Sequence, residues 1–308
     1  MSTAGPGHSP LARVNRRRAT RGRGRIGEQG SGSPGGLSGY LTEGGLHPRE
    51  APVKGFDWLF SEPIAHRGLF RPEAGVPENS LTAFRLAAER GIPFELDVQL
   101  SRDGTLVVAH DATLARMAGC PKRISELGRE ELSRLRLGES DEPVPTLQQV
   151  WEITDGRVPV IVDVRRWGIE SSPLLERAVA GSIRDYPGPV AVQSFDPLAV
   201  HRLRRLVNDR PVGQVSGALR SAGRVTALIG STMAANVLTS PDFISYELDM
   251  LPSRYATFWH RRGIPLLAWT VSSSESEARA AQVADNFFFD GYLPTAYQHS
   301  VVPPAQQQ

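Results

Sequence analysis

From residue 58 onward, short apolar runs alternate with longer stretches of helical period, and few architectures accept such a pattern. Eight runs have the length and composition of strands: Pro63–Arg67, Pro93–Gln99, Val158–Val164, Val190–Phe195, Val212–Ser216, Phe243–Tyr246, Pro265–Val271 and Asn286–Tyr292. Helical patterns fall between most of them. They are Ser80–Arg90 with Asn79 as N-cap, Leu147–Ile153, Pro173–Tyr186, Pro197–Asn208, Ser253–Arg262, and Glu275–Val283 with Ser274 as N-cap. Gaps of this length suit parallel crossovers rather than hairpins. Eight strand-helix units over about 235 residues predict a (β/α)8 TIM barrel. Residues 100–146 break the rhythm. Asp103-Gly104 sits between two short extended runs as a hairpin signal, and charged, helix-like residues follow up to Pro143 and Pro145. That stretch reads as a small insertion after the second strand.

Composition sets the outer limits. The chain has 308 residues, 40% of them apolar, enough for one large core. Residues 1–50 carry eight Arg and 12 Gly with few large apolar side chains, so the first 54 residues are expected to be a disordered basic tail. The barrel is expected over 55–300 and a flexible C-terminus over 301–308. Outside the first 50 residues, 27 basic side chains face 30 acidic ones, which is no footprint for nucleic acid. Arg16-Arg17-Arg18 is followed by no apolar segment of a signal peptide, and no stretch reaches the ~18 to 20 apolar residues of a membrane span. One cysteine, Cys120, excludes an internal disulfide framework and fits a reducing, cytoplasmic setting. Nothing in the chain indicates an oligomeric state.

The chemistry is concentrated in the N-terminal half. Glu95 and Asp97 are two apart on a strand and therefore face the same way. Two carboxylates on a packed face are costly to desolvate unless a positive charge balances them, and oxygen ligands favour Mg2+ or Ca2+. His66 and Arg67 would face opposite sides of a continuing strand, but Gly68 lets the backbone turn and bring both to one site. Arg67 offers a planar fork for two phosphate oxygens. His110 ends the apolar run Leu106–Ala109 and precedes Asp111, which can orient its ring. Two imidazoles supply the base and the acid that phosphodiester cleavage needs. Glu78 and Asn79 are expected to cap the first helix, and Gln193 and Glu247 to serve the core or rim as readily as a site.

These residues fall into four motifs: His66-Arg67-Gly68, Pro77-Glu78-Asn79-Ser80, Glu95-Leu96-Asp97 and Ala109–Gly119 opening Ala-His-Asp. In this order and at these spacings they resemble the glycerophosphodiester phosphodiesterase family. The likeness continues through 145–152, 191–197, 241–246 and 268–271 and covers roughly residues 58–293. It implies a metal-dependent enzyme that hydrolyses glycerophosphodiesters to sn-glycerol 3-phosphate and an alcohol. His66 and His110 would form the acid/base pair, and Arg67 would hold the phosphate. Asp163 stands where the family has a glutamate and would be the third metal ligand beside Glu95 and Asp97. It is one methylene short, about 1.5 Å of reach. Arg165, in place of a family lysine, would meet the phosphate or a ligand carboxylate, and Trp269 would wall the glycerol carbons. The family's C-terminal Thr-Asp-x-Pro pattern is absent: the chain has Asp290-Gly291-Tyr292-Leu293-Pro294.

Two alternatives remain at this level: a lysophospholipase D-type activity and a non-catalytic, phosphodiester-binding barrel. The insertion shows no exposed apolar stretch for an acyl chain, and a pure binder needs no second proton carrier. The tail yields a prediction. Deleting residues 1–50 should leave the melting temperature and kcat/KM nearly unchanged, because that segment has little apolar surface to bury. A calorimetric fall of more than a few degrees would show that it docks on the barrel.

Overall fold

Prolines mark where the strands begin. Pro63, Pro93, Pro159, Pro189, Pro211 and Pro265 each precede a strand, and five of their carbonyls accept from a strand N–H: Pro93 from Ala65, Pro159 from Phe94, Pro189 from Val160, Pro211 from Val192 and Pro265 from Ile244. Proline lacks the N–H that a continuing ladder requires but keeps its carbonyl, so it suits the first rung. The computed structural model describes residues 56–167, 172–217 and 233–298. The tail and C-terminus expected over 1–54 and 301–308 lie outside the described residues.

Eight parallel strands close a barrel: β1 (Ile64–Ala65), β2 (Phe94–Leu100), β6 (Val160–Val164), β7 (Val190–Ser194), β8 (Val212–Ser216), β9 (Phe243–Glu247), β10 (Leu266–Val271) and β11 (Asn286–Phe289). Closure comes from β1, which pairs with β11 through Ile64 and Phe288 and with β2 through Ala65 and Phe94. The TIM barrel expected from the sequence is therefore the fold. β1 is shorter than predicted because the chain turns at once: Arg67 has φ 58° and Gly68 φ 80°. A Cβ on Gly68 would meet Ala83 and Phe84 at 3.0 Å, so this turn presses against the first helix.

Alternation along the strands sorts the barrel into two cores. Phe94, Leu96 and Val98 face the helices together with Val160, Val162 and Val164. The interior at the N-terminal end is filled by Ile64, Ile161, Ala191, Phe243, Leu267 and Phe288, with Leu59 of the turn Asp57–Phe60 closing the bottom. Glu95, Asp97 and Gln99 belong to the inward set, further toward the open end of β2. Gly213 makes room in the apolar layer: a Cβ there would lie 2.3 Å from the Phe243 ring.

Helix ends follow local chemistry with two shifts of one residue. Ser80, not Asn79, caps Leu81–Glu89 by accepting from the Ala83 N–H, and Ser273, not Ser274, caps Ser274–Val283. Asn79 is displaced from capping because it sits at φ 56° and gives its side chain to Asp97. The helices Leu81–Glu89 and Leu147–Thr154 bury their apolar faces against the sheet, and Phe84 stacks on Phe94 with centroids 4.8 Å apart.

The insertion is built on β2 itself. β3 (Leu106–Val108) returns antiparallel to it through a turn at Gly104, φ 80°. The edge of β2 that pairs with β1 at Phe94 thus pairs with β3 further up, where β1 has ended. β4 (Thr113–Leu114) and β5 (Cys120–Arg123) form a second hairpin around the short helix Ala115–Ala118. Leu114, Ile124, Leu127, Leu132, Leu137 and Val144 give the insertion a small core of its own.

Gly213→Ala should cost about 1 to 3 kcal/mol, the usual penalty of overpacking, because the methyl would collide with Phe243. Thermal unfolding checks this, and Gly213→Ala,Phe243→Leu should recover part of the loss.

Candidate active site

Register brings the acidic residues together. β2 pairs in parallel with β6 so that Asp97 stands opposite Asp163, and Glu95 is one inward position below. Glu95, Asp97 and Asp163 are all buried, and each offers a carboxylate oxygen within 4.8 Å of the others. The shorter side chain of Asp163 does not take it out of the cluster, because direct pairing of the two strands supplies the reach.

Two arginines partly balance this charge. Arg67 Nε lies 3.4 Å from Asp97 and its Nη1 donates to Glu78 at 2.9 Å. Arg165 Nε lies 3.6 Å from the other Asp97 oxygen, and its Nη1 is 3.4 Å from Asp163. Burial acts to raise Asp97, but the Arg67 and Arg165 charges outweigh it and hold its pKa at about 2. Its neighbours go the other way. Burial, with the charges of Asp97 and Asp163 added, pushes Glu95 well above the usual carboxylate range. Burial pushes Asp163 up to about 7, against the pull of Arg165. Fully ionised, the three carboxylates would exceed the two guanidiniums by one negative charge. Asp163 Oδ1 is also buried with no hydrogen-bond partner among the described residues. An oxygen-rich, electron-excess pocket of this kind fits a hard divalent cation.

The histidines flank the cluster, each with its own carboxylate. His66 Nδ1 lies 3.1 Å from Asp290 Oδ2, and its Nε2 is 4.0 Å from Glu95. His110 Nδ1 lies 2.7 Å from Asp111 Oδ1, while its Nε2 accepts from Arg165 Nη2 at 3.0 Å. Burial, reinforced by the charges of Arg165 and Arg67, lowers the His110 pKa despite Asp97 and Asp111. A guanidinium can only donate, so the Nε2 lone pair faces Arg165, and a neutral ring would carry its proton on Nδ1 toward Asp111.

Of the residues singled out from the sequence, His66, Arg67, Glu95, Asp97, His110, Asp163 and Arg165 converge on this centre. Asp111 orients His110 as expected. Trp269 packs edge-on to Phe195, 5.6 Å between centroids, and Gly217 leaves space for it: a Cβ there would come within 2.9 Å of the indole. Glu247 lies beside the same glycine, whereas Gln193 accepts from Ser245 at 2.7 Å in the barrel interior. Glu78 and Asn79 are not caps. Glu78 takes Arg67 and Arg116, and Asn79 donates to Asp97 at 2.9 Å and accepts from its backbone N–H at 3.3 Å. Two participants went unrecognised in the sequence. Asp290 reaches His66 from 224 residues away. Arg116, in the insertion, bridges Glu78 at 2.6 Å and Asp111 at 2.7 Å. The Asp of the altered C-terminal pattern was the available signal for the first, and the second lies within the Ala109–Gly119 motif, where its partner Glu78 could not be read from the sequence.

The glycerophosphoryl diester phosphodiesterase family profile matches residues 66–287, a span that contains every residue of this centre except Asp290. The chain belongs to the glycerophosphodiester phosphodiesterase family. It is accordingly an enzyme of glycerophosphodiester hydrolysis. The glycerophosphodiester phosphodiesterase of Caldanaerobacter subterraneus is 33% identical over 226 residues, 70% of this chain and 88% of that protein. The human glycerophosphodiester phosphodiesterase 1 is 31% identical over 206 residues, 64% of this chain and 54% of that protein. Among solved structures, an Oleispira antarctica phosphodiesterase in complex with the product sn-glycerol-3-phosphate aligns with TM-score 0.63 and 22% identity, over 79% of this chain and 97% of that one. The Thermotoga maritima glycerophosphodiester phosphodiesterase aligns with TM-score 0.57 and 22% identity, over 73% and 92%. At such identities the structural likeness speaks for the fold. The family match removes the non-catalytic alternative. Among the described residues no helix is long and apolar enough to cross a membrane.

The raised Asp163 carboxyl has a thermodynamic consequence. A group that binds its proton more tightly when folded stabilises the fold below the unfolded pKa and loses that contribution as pH rises through the folded one. In chelator, wild type should therefore lose stability relative to Asp163→Asn as pH rises from about 4 through about 7. Adding Mg2+ or Ca2+ at pH 8 should restore wild type far more than Asp163→Asn. A pH-independent difference in melting temperature between the two proteins would contradict the buried carboxyl described above.

Proposed function

We propose that the enzyme hydrolyses glycerophosphodiesters to sn-glycerol 3-phosphate and an alcohol, with Mg2+ or Ca2+ held by Glu95, Asp97 and Asp163. The observation that carries the metal reading is the clustering of three buried carboxylates, with one oxygen unpartnered. A bound cation supplies charge stabilisation at a non-bridging phosphate oxygen.

The protein's own groups do the rest. Arg67, braced against Asp97 and Glu78, offers its guanidinium to the phosphate, and Arg165 offers a second from the end of β6. His66 and His110 form the acid/base pair: one takes the proton of the attacking hydroxyl and the other delivers a proton to the departing alkoxide, with Asp290 and Asp111 holding their rings. The attacking hydroxyl is either water or the 2-hydroxyl of the substrate's own glycerol. The second forms a cyclic phosphate that water then opens, and it has the advantage of effective molarity. Trp269 and Phe195 give the glycerol carbons an apolar wall. The product-bound Oleispira antarctica structure is consistent with the product named here.

The lysophospholipase D reading has less support. Among the described residues the large exposed apolar side chains are Leu174, Leu198, Leu206, Val237, Leu238 and Phe258, and none of these lies in the insertion. A cytoplasmic setting rests on the single cysteine. The residues before 55 are, on this reading, an appendage rather than part of the catalytic domain.

Treatment with EDTA should abolish turnover of glycerophosphodiesters, and Mg2+ or Ca2+ should restore it. Full activity after demetallation would reject the metal role of the acidic cluster. His66→Ala and His110→Ala should each lower kcat by roughly 10² to 10⁴-fold, the usual worth of acid–base catalysis. The double mutant should fall far short of the product of the two losses, because the histidines act as a unit. Single-turnover kinetics on purified variants would measure this.

A further inference from the structure

Arg116 stands on the short helix Ala115–Ala118, inside the second hairpin of the insertion, and its side chain is half exposed. Its fork is divided between two carboxylates from different parts of the chain. Nε donates to Asp111 Oδ2 at 2.7 Å, and Nη2 donates to Glu78 Oε1 at 2.6 Å. Each carboxylate has a second partner at the reacting centre. Asp111 turns its other oxygen, Oδ1, to His110 Nδ1 at 2.7 Å, and Glu78 Oε1 also accepts from Arg67 Nη1 at 2.9 Å. The result is a continuous run of charge-assisted bonds, His110–Asp111–Arg116–Glu78–Arg67. Burial acts against both carboxylates, yet Arg116, helped by Arg67 at Glu78 and by His110 at Asp111, holds them below the usual carboxylate range.

The two ends of this run do not depend on Arg116 equally. Arg67 has a second anchor, since its Nε lies 3.4 Å from Asp97, and it would keep Glu78 if Arg116 were removed. The Asp111 carboxylate has only His110 and Arg116 as hydrogen-bond partners among the described residues, and its side chain is 30% exposed. The backbone on either side of His110 is fixed independently. Gln99 Nε2 donates to the Ala109 carbonyl at 2.7 Å and to that of Asp111 at 2.8 Å. Nor does Arg116 hold up the insertion, whose core is made by apolar neighbours such as Leu114 and Ile124. What Arg116 controls is therefore the Asp111 carboxylate and, through it, the His110 ring, and not the path of the chain.

We propose that Arg116 is a positioning residue for proton transfer: it fixes the Asp111 carboxylate that aligns the His110 ring, and so couples the insertion to turnover rather than to stability. This rests on the hydrolytic function proposed above, in which His110 is one member of the acid/base pair. Half-exposed ion pairs contribute little to stability. A reacting group displaced by on the order of 1 Å, by contrast, can cost up to about 10²-fold in rate. The difference between these two magnitudes is what assigns Arg116 to alignment.

The test measures kcat, KM and melting temperature on the full-length enzyme with Mg2+ or Ca2+ supplied, using whichever of glycerophosphocholine and glycerophosphoethanolamine wild type cleaves faster. Arg116→Ala should lower kcat by roughly 10 to 100-fold. KM should move by less than about threefold, because Arg67 keeps Glu78 and Asp97. The melting temperature should fall by no more than about 4 °C. Arg116→Lys should lie between wild type and Arg116→Ala, since one ammonium cannot replace a fork spread over two carboxylates. Added to Asp111→Asn, Arg116→Ala should cost less than about threefold more, because both act through the same ring. A folded Arg116→Ala with wild-type kcat, a loss confined to KM, or the full loss repeated on top of Asp111→Asn would overturn the positioning role and leave the hydrolase intact. A much larger fall in melting temperature would make Arg116 a structural brace and overturn it too. His110→Ala, run alongside, separates the two readings. If it keeps wild-type turnover, or if wild type cleaves neither ester, the proposed function itself fails, and the positioning role with it.

Discussion

Three carboxylates buried side by side in a barrel interior are the constraint around which the rest of this site is arranged. Glu95, Asp97 and Asp163 are 2%, 1% and 4% exposed, a placement that is prohibitive for carboxylates without compensation. The chain supplies part of that compensation with Arg67 and Arg165, which brace Asp97 from both sides. Asn79 adds two hydrogen bonds to the same residue. Asp97 thus keeps its charge, while Glu95 and Asp163 are pushed toward the protonated form. The remaining imbalance is what a cation would relieve, so the same electrostatics favour binding of one.

The insertion takes part in this arrangement rather than merely decorating the barrel. Because β1 stops at Ala65, the upper edge of β2 is open, and β3 occupies it. That pairing delivers His110 at the end of β3. Arg116 then ties Asp111 to Glu78, and Glu78 to Arg67. One exposed guanidinium so connects the carboxylate beside the His110 imidazole with the carboxylate that holds Arg67. Networks of charge-assisted hydrogen bonds hold geometry more firmly than their members would separately. The price of a mobile His110 or Arg67 would be a poorly aligned reaction centre.

Much of this was legible from local pattern. Strand and helix periods differ, so the barrel units separate cleanly along the chain, and prolines mark most strand starts. The two-residue spacing of Glu95 and Asp97 places them on one face wherever the strand goes. The dipeptide His110-Asp111 carries its own orienting group. Local rules failed by one residue at Asn79 and Ser274, where two adjacent polar residues compete for the cap. Tertiary demand decides such contests: Asp97 recruited Asn79 and left the cap to Ser80.

The sequence by itself determined the eight-unit fold, the inward face of β2, the turn after His66 and the chemical class of the site, because each follows from periods and spacings within a few residues. Only the tertiary structure decided which distant groups meet. Parallel pairing of β2 with β6 sets Asp163 opposite Asp97, and barrel closure through β1 and β11 carries Asp290 to His66. The fold of the insertion brings Arg116 to Glu78 across 38 residues, and Arg165 to His110 across 55. Such contacts depend on strand register and on the closing of a cylinder, and these are set by the packing of all eight strands together rather than by any segment alone.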